Sequence, residues 1–517
     1  MNASRPRDEV LVRRARLVPV GPGMRAAGSD DRPVDLRITD GMVTEVGPDL
    51  PADGVSDVID AAGRWAVPGL WDHHVHLTTW SRTRTTIDLA GTAGPDEVTR
   101  RVAGHLAGLT GERPRLVSGF GYRSGAWDRI GTVAELDAAT GDVPVILTSG
   151  DAHNGWLNSA ALGLLGVAGV TGPLEENDWF GLQPSISAML EEIEAAGAGD
   201  TALRWAMAAA AARGITGVVD LEMPSSYRQW SSRFANGLDL VRVRASVYPD
   251  ALDGLLAAGI RTGDPLAGDG DLLTMGPFKV ISDGSLNTRT ARCCDPYPDS
   301  GGRHLTRGTQ NYDLDEMTAL LSTAHAGGLE IALHAIGDAA VDLALQAFEA
   351  TGATGGIEHA QLVRLEDLPR MARLGVRASV QPAHLLDDRD TTQRLWGDRA
   401  DRCFALRSMV DAGVVLALGS DAPVAPLDPW LAMAAAVHRS ADGREPWNPA
   451  ESLTPAEALA ASTDGQPTLG VCSRGDVVLL DTNPLGTAAD SGEAAGLLRG
   501  MPVAATLLAG RLTHSTL

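Results

Sequence analysis

The sequence has few cysteines, a shortage of cationic residues and no long hydrophobic run, and each of these deficits excludes a class of protein. Its four cysteines are Cys293, Cys294, Cys403 and Cys472, which show no Cys-x-x-Cys spacing, so we expect free thiols. No apolar run reaches the length of a membrane span, and the N-terminal segment has no hydrophobic core of signal-peptide length. We therefore expect a cytoplasmic protein that has no membrane partner.

The charge balance is strongly acidic. Aspartate and glutamate number 66 against 43 lysines and arginines, which gives a formal net charge of -23 at pH 7. An acidic surface repels phosphate backbones, so we expect no nucleic-acid partner. The chain of 517 residues, 44% of them hydrophobic, is long enough for one large core and one or two smaller units.

Both ends of the chain read as short strands separated by turn residues. The N-terminal strands are predicted at 9–17, 34–38, 42–46 and 57–60, and the C-terminal strands at 476–480 and 503–512. Two β-rich ends around one middle indicate a small β-sandwich built from both termini, with boundaries at 1–64 and 466–517.

The middle of the chain, 65–465, alternates apolar strands with helical stretches, which is typical of repeated βα units around a parallel sheet. The eight predicted strands cover 65–72, 215–221, 241–248, 278–282, 331–334, 356–359, 376–381 and 414–419. This pattern predicts an α/β fold, a TIM (β/α)8 barrel whose active site lies at the C-terminal ends of its strands. The gap at about 82–199 is too long for a βα crossover and predicts an inserted α/β subdomain with strands at 116–122 and 143–148.

The segment Pro-Gly-Leu-Trp-Asp-His-His-Val-His-Leu at 68–77 carries the first chemical signal. Side chains two apart on a strand project from the same face, so His74 and His76 can meet one cation. Other predicted strand ends carry Lys279, His334, His359 and Asp421. Imidazole and carboxylate ligands suit Zn2+, with other divalent metals as alternatives.

These residues, in this strand order, resemble the amidohydrolase superfamily. The resemblance extends to longer segments, which are Asp151-Ala152-His153-Asn154-Gly155-Trp156-Leu157-Asn158-Ser159, His334-Ala335-Ile336-Gly337-Asp338, Ile357-Glu358-His359-Ala360-Gln361, Gln381-Pro382-Ala383-His384 and Gly419-Ser420-Asp421-Ala422-Pro423. Together they look like the branch that includes N-substituted formamide deformylase, and they span nearly the whole chain.

The resemblance implies a metal centre with one or two Zn2+ ions. His74, His76 and Asp421 would hold the more buried metal, and His334 and His359 the more exposed one. Lys279 would bridge the two as N6-carboxylysine, which requires an uncharged amine of the kind that burial supplies. The alternative is that Lys279 is an ordinary cation paired with Asp283, in which case the site holds one metal.

The resemblance also implies a hydrolase of carbon-nitrogen bonds other than peptide bonds, acting on a linear or N-substituted amide of formamide or N-acyl type. A metal-activated hydroxide would attack the carbonyl, with Asp421 as general acid and base. The alternative for Asp421 is a structural role as the N-cap of the following segment. Predicted substrate contacts are His153, Trp156, Gln381 and His384, although a role in the core of the insertion fits His153 and Trp156 equally well.

Two other functions remain open from the sequence. A cyclic amidase or deaminase of the same superfamily would use the same metal ligands, and a non-catalytic barrel would keep the fold for binding. The expected partner is a small-molecule substrate, and the resemblance implies self-association into a homo-oligomer.

Overall fold

The structure is a computed structural model that describes residues 9–20, 32–111, 114–195, 199–225, 227–268, 270–298 and 306–517. The strands are β1 (Glu9–Leu17), β2 (Val34–Thr39), β3 (Met42–Gly47), β4 (Asp57–Asp60), β5 (Trp65–Pro68), β6 (Leu70–Val75), β7 (Ile87–Asp88), β8 (Val117–Tyr122), β9 (Val145–Ser149), β10 (Asn154–Leu157), β11 (Leu174–Glu175), β12 (Ile215–Asp220), β13 (Arg242–Val247), β14 (Leu273–Ile281), β15 (Ile331–Ala335), β16 (Gly355–His359), β17 (Arg377–Val380), β18 (Leu416–Leu418), β19 (Val477–Leu480), β20 (Val503–Leu508) and β21 (Arg511–Ser515).

The α-helices are α1 (Leu77–Arg82), α2 (Pro95–Gly108), α3 (Val133–Thr140), α4 (Ser159–Leu164), α5 (Glu176–Phe180), α6 (Gln183–Ala195), α7 (Gly199–Ala211), α8 (Tyr227–Ala235), α9 (Pro249–Ala257), α10 (Leu314–Ala326), α11 (Asp338–Thr351), α12 (Leu368–Arg373), α13 (His384–Trp396), α14 (Leu406–Asp411), α15 (Pro429–His438), α16 (Pro455–Ala460) and α17 (Ser491–Leu498). None of the described helices has the length and apolar character needed to cross a membrane.

Eight parallel strands form the central barrel in the order β6, β12, β13, β14, β15, β16, β17 and β18. The first and last strands meet just beyond β18, where Val75 bridges Ala422 in parallel register. The backbone N–H of Asp421 donates to the carbonyl oxygen of His74 at 2.6 Å across the same junction. These contacts nearly close the cylinder and confirm the predicted TIM barrel.

The barrel strands and their helices form because their apolar residues follow the two expected periods. Every residue of β12 is buried, as expected for a parallel strand that is covered on both faces. On α11, Val341, Leu345 and Phe348 are buried at helical spacing and face the core. Gly352 directly follows the last residue of that helix, and its φ of 65° is the left-handed conformation typical of a helix C-terminus.

The first predicted barrel strand, 65–72, is wrong as a single element. The structure divides this segment at Gly69 into β5, which pairs antiparallel with β19 outside the barrel, and β6, which enters the barrel. A Cβ atom at Gly69 would lie 2.1 Å from Oγ1 of Thr216. Glycine is therefore required where the chain passes from one sheet to the other.

The two ends of the chain build one sheet beside the barrel. Its strand order is β21, β20, β19, β5, β1, β2 and β3, and β4 also pairs with β1. Val12 and Leu36 from the N-terminal part share a buried apolar cluster with Leu479 and Leu507 from the C-terminal part. The strands of both ends thus join in one eight-stranded sheet, whereas the description of this unit as a sandwich and its boundaries at 64 and 466 remain predictions.

The long segment between β6 and β12 folds around its own five-stranded sheet, in the order β11, β10, β9, β8 and β7. The predicted inserted α/β subdomain is therefore present. It lies against the loop that follows β14, because Asp151 accepts a hydrogen bond from the Ser285 hydroxyl at 2.8 Å. Glu176 likewise accepts a hydrogen bond from the Thr288 hydroxyl at 2.9 Å. The insertion thus covers the mouth where the barrel strands end.

Candidate metal centre

The predicted metal ligands meet at the C-terminal ends of the barrel strands. A single cavity of about 420 Å³ is lined by all six of them, which are His74, His76, Lys279, His334, His359 and Asp421. They come from β6, β14, β15, β16 and the segments that follow β6 and β18. The parallel barrel thus brings distant parts of the chain to one point.

The most compact group is formed by His74, His76 and Asp421. Nε2 of His74 lies 3.4 Å, and Nε2 of His76 3.3 Å, from Oδ1 of Asp421. One nitrogen or oxygen atom from each residue lies within 4.8 Å of the others, which is close enough for one cation to touch all three. Asp421 has a φ of 56°, a left-handed conformation that is uncommon outside functional sites.

A second group combines His359, His384 and Asp421, again with ligand atoms within 4.8 Å of one another. Nε2 of His384 lies 3.8 Å from Oδ2 of Asp421. This atom and Nδ1 of His359 are buried and have no hydrogen-bond partner in the described parts of the chain. Buried polar atoms are normally paired, so these two nitrogens fit the role of metal ligands. His384, predicted to contact substrate, therefore lies where a metal ligand would lie.

His334 lies beside the second group but does not belong to it. Its ring packs edge-on against the ring of His359, with centroids 4.5 Å apart. Its Nε2 is 3.4 Å from the carbonyl oxygen of Gly284 and 3.4 Å from Oδ1 of Asp283. The pairing of His334 with His359 on one metal remains a prediction.

Lys279 is buried in the same cavity, and its Nζ has no hydrogen-bond partner among the residues described. Burial lowers the pKa of Lys279, although Glu358 and Asp421 act in the opposite direction. The alternative partner, Asp283, accepts backbone N–H groups of Ile336 and Gly337 instead. The uncharged amine is the form that reacts with carbon dioxide, and a lowered pKa favours that form.

The protonation of the imidazoles also suits metal binding. Burial, together with neighbouring cations, lowers the pKa of His74, His334 and His359 well below the usual value. Burial also lowers the pKa of His76, but the Asp421 carboxylate more than offsets this and the pKa is raised. Metals bind neutral imidazole, so three of these four rings are already in the ligand form.

Glu358 was not singled out from the sequence, yet among the described residues it makes the shortest contact to the side chain of a predicted metal ligand. Its Oε2 lies 2.7 Å from Nδ1 of His74, and both side chains are buried. An Nδ1–H donated to Glu358 leaves Nε2 of His74 free on the side of Asp421. The available signal was that Glu358 precedes His359, so strand alternation turns its side chain into the barrel.

Asp72 supports the same centre through the backbone, as expected of a residue that orients a ligand. Its carboxylate accepts the backbone N–H of Ser420 at 3.0 Å and that of His74 at 3.1 Å. The N-cap alternative for Asp421 is not observed. Asp428 caps the next described α-helix, because its side chain accepts the N–H groups of the first turn of α15.

Three of the four predicted substrate contacts, Trp156, Gln381 and His384, are not among the residues that line this cavity. Trp156 is fully buried, its indole N–H donates to the Thr132 carbonyl oxygen at 3.0 Å, and its ring packs edge-on against Tyr122. The ring of Trp156 thus lies in the core of the insertion, which is the alternative that the sequence left open. Gln381 is buried beneath the centre, with Nε2 3.4 Å from Nδ1 of His74.

His153 does reach the cavity from the insertion. Its Nδ1 lies 3.0 Å from Oε2 of Glu176, and its ring centroid is 5.5 Å from that of His334. Burial lowers the pKa of His153, but the Glu176 carboxylate dominates and raises it to about 9. The Thr290 hydroxyl also donates to Glu176 at 2.5 Å, so this pair is anchored to the barrel.

The donor set as a whole fits a divalent transition metal. Imidazole nitrogens and one shared carboxylate are the ligands that Zn2+ prefers, and two buried imidazole nitrogens lack other partners. The same set suits manganese, iron and nickel, so the donors define a metal class rather than one metal.

Comparison with known sequences gives an independent view of this centre. The model of a protein family described as the amidohydrolase family matches residues 57–514. The chain is 28% identical over 446 residues to Protein LONG AFTER FAR-RED 3 of Arabidopsis thaliana, covering 80% of this chain and 75% of that protein. It is 25% identical over 525 residues to N-substituted formamide deformylase of Arthrobacter pascens, covering 92% and 94% of the two chains.

Solved structures show the same architecture. The crystal structure of an uncharacterized metal-dependent hydrolase from Pyrococcus horikoshii OT3 superposes with a TM-score of 0.74 at 25% identity. The match covers 94% of this chain and 99% of that one, so it includes the barrel, the insertion and the flanking sheet.

Proposed function

This chain belongs to the amidohydrolase family, and we propose that it is a metal-dependent hydrolase that cleaves a linear or N-substituted amide of formamide or N-acyl type. The observation that carries the proposal is the buried group of His74, His76 and Asp421 at the mouth of the barrel. The similarity to a relative named for deformylation supports the choice of substrate class.

The centre would hold its metal through residues of both groups. His74, His76 and Asp421 would bind one Zn2+, and His359 with His384 or His334 a second. Lys279, as N6-carboxylysine, would lie between them. When bound, the metal polarises the scissile carbonyl and makes a water acidic enough to attack it near neutral pH.

In this proposal Asp421 moves the proton. Each of its carboxylate oxygens faces an imidazole, and the side chain is buried at the base of the cavity. Asp421 accepts the proton of the attacking water and returns it to the departing nitrogen, because an amine leaves an amide only when it is protonated. General acid and base catalysis of this kind contributes about 10²–10⁴-fold to the rate.

His153 supplies the contact from the insertion. Because its Nδ1 is engaged by Glu176, the opposite nitrogen is the one available to the cavity. A hydrogen bond from this edge to the substrate carbonyl oxygen would orient the amide and stabilise charge that develops on that oxygen.

A substrate screen tests the proposal. Wild type and Asp421→Asn are assayed against N-alkyl formamides, N-acyl amines, cyclic imides and exocyclic amidines, with metal content measured on the same samples. We expect turnover of linear amides, and a loss of about 10²–10⁴-fold in kcat for Asp421→Asn at equal metal content. Preferred turnover of cyclic imides or amidines would favour the cyclic amidase or deaminase alternative. A metal-free protein without turnover would favour a binding role.

A further inference from the structure

The cavity that holds the metal centre continues into the insertion, where its walls change character. The described lining there includes Phe120, Ile146, Trp179, Ile186, Leu190 and Ile193. We call these six residues the apolar arm. None of them carries a charge, whereas the part of the cavity near the barrel is lined by imidazoles and carboxylates.

Helix α6 forms one wall of the apolar arm with a single face. Ile186, Leu190 and Ile193 follow the spacing of neighbours on a helix surface, and all three line the cavity. On the other side of the same helix, Ala188 and Glu192 are exposed. The amphipathic pattern of α6 therefore directs its apolar face towards the space that leads to the metal centre.

Phe120, Ile146 and Trp179 complete the apolar lining. Phe120 lies on β8 and Ile146 on β9, at the surface of the inserted sheet. Trp179 is only 2% exposed, and its indole N–H donates to the Ala152 carbonyl oxygen at 2.8 Å, which fixes the ring. Ile146, Trp179 and Ile186 pack in one buried cluster with Leu190 against it, so the apolar arm is formed before a substrate binds.

We propose that the apolar arm binds an uncharged alkyl or arylalkyl substituent of the substrate while the scissile amide lies at the metal centre. This inference rests on the proposed function and adds a specificity to it. An apolar group gains free energy on leaving water for this surface, whereas a charged group would lose hydration without a partner in the arm. The insertion would thus select the substrate and the barrel would carry out the reaction.

The size of the cavity limits the substituent. Its volume of about 420 Å³ also has to hold the amide. Each methylene buried contributes about 0.8 kcal/mol, which corresponds to about fourfold in kcat/KM. We therefore expect kcat/KM to rise about fourfold per methylene for short chains and to fall once the arm is full.

The competing chemistry is a substituent that ends in a carboxylate, because Arg82 and His105 line the same cavity. The assay compares N-alkyl formamides and N-acyl amines of increasing chain length with their ω-carboxylated counterparts. A chain-length dependence in either uncharged series supports the apolar arm and identifies the side of the amide that carries the substituent. Preference for the ω-carboxylates would overturn it.

Three variants test the assignment to α6. Leu190→Trp should shift the optimum to shorter chains with little change for the shortest amide, and Leu190→Ala should shift it to longer chains. Ala188→Trp places the same bulky side chain on the exposed face and should leave the profile unchanged. If Leu190→Trp does not fold, the opposite shift in Leu190→Ala still decides the matter. Identical profiles for wild type and Leu190→Ala would contradict the inference.

Failure of this inference differs from failure of the proposed function. Hydrolysis of short amides without any chain-length dependence would leave the amide hydrolase in place and remove only the apolar arm. Absence of amide hydrolysis at full metal content would remove the proposed function itself. In that case, binding of alkyl amides measured by calorimetry, with and without Leu190→Trp, still tests the arm.

Discussion

Replacement of Glu358 by glutamine should weaken metal binding without destabilising the fold. The carboxylate of Glu358 lies 2.7 Å from Nδ1 of His74, with 6% and 2% of the two side chains exposed. Glutamine has nearly the same shape and keeps an oxygen that can accept the Nδ1–H group. The substitution therefore removes the charge of the acceptor and little else.

The expected magnitude follows from two independent arguments. A buried hydrogen bond to a charged group contributes about 1.5–3 kcal/mol, which corresponds to roughly 10–150-fold in an equilibrium constant. Loss of a hydrogen-bonded partner behind a metal-binding histidine lowers metal affinity by about 10–100-fold. We therefore expect Glu358→Gln to bind Zn2+ about 10–100-fold more weakly than wild type.

The stability of the metal-free protein should behave differently. Burial raises the pKa of Glu358, which shows that its charged form is poorly solvated. Removal of that charge relieves desolvation, so the unfolding free energy of the metal-free variant should fall by no more than about 1 kcal/mol. A large loss of stability would mean that Glu358 supports the core rather than the metal.

Competition with a chromophoric chelator at neutral pH measures the affinity, and chemical denaturation in excess chelator measures the stability. Glu330→Gln is the matched control, because Glu330 forms an exposed ion pair with Arg377. Its metal affinity should stay within about twofold of wild type. Wild-type affinity in Glu358→Gln would refute the view that Glu358 holds His74 in place for a metal.

Three further predictions concern His153, Lys279 and the contact between the barrel and the flanking sheet. Glu176→Gln removes the charged partner of His153 and should lower kcat/KM about tenfold, with metal content unchanged. In labelled bicarbonate, wild type should show a carbamate carbon signal by NMR that Lys279→Ala lacks. Arg242→Ala should lower the free energy of unfolding by about 3–5 kcal/mol, measured with urea, because Asp476 loses its buried partner at 2.7 Å.

Each of these has a matched control and an opposing result. Glu192→Gln, on the exposed face of α6, should keep wild-type kcat/KM, and an equal loss in both glutamine variants would point to a general effect. A carbamate signal that persists in Lys279→Ala would assign it to another amine. Arg511→Ala breaks an exposed pair with Asp239 and should cost less than about 1 kcal/mol. A similarly small cost for Arg242→Ala would contradict its structural role.

The barrel and its chemical residues could be predicted because their signals are local. A buried parallel strand reads as a continuous apolar run, and the residue at its C-terminal end reaches the barrel mouth wherever the strand pairs. His74, His334 and His359 were found in this way. The family could be predicted because several different short motifs occur along the chain in the order that the amidohydrolase family shows.

The parts that were missed depend on partners far away in the sequence. Glu358 meets His74 across 284 residues. Strand alternation indicates that Glu358 points into the barrel, but a single sequence does not indicate which residue it contacts there. The break at Gly69 was hidden because two strands of different sheets read as one apolar run. The role of Trp156 was left open between substrate contact and core, because an aromatic residue near a histidine gives the same signal in both places.

The flanking sheet has a consequence for how the protein is made. Because β5 pairs with β19, one edge of β5 has no partner until Val477–Leu480 has been synthesised, although the N-terminal strands pair with one another. Until then the nascent chain presents an open strand edge, which is the kind of surface on which chaperones and aggregation act. The sheet therefore cannot be completed before the barrel has been synthesised, and truncation between the barrel and β19 would leave this edge open.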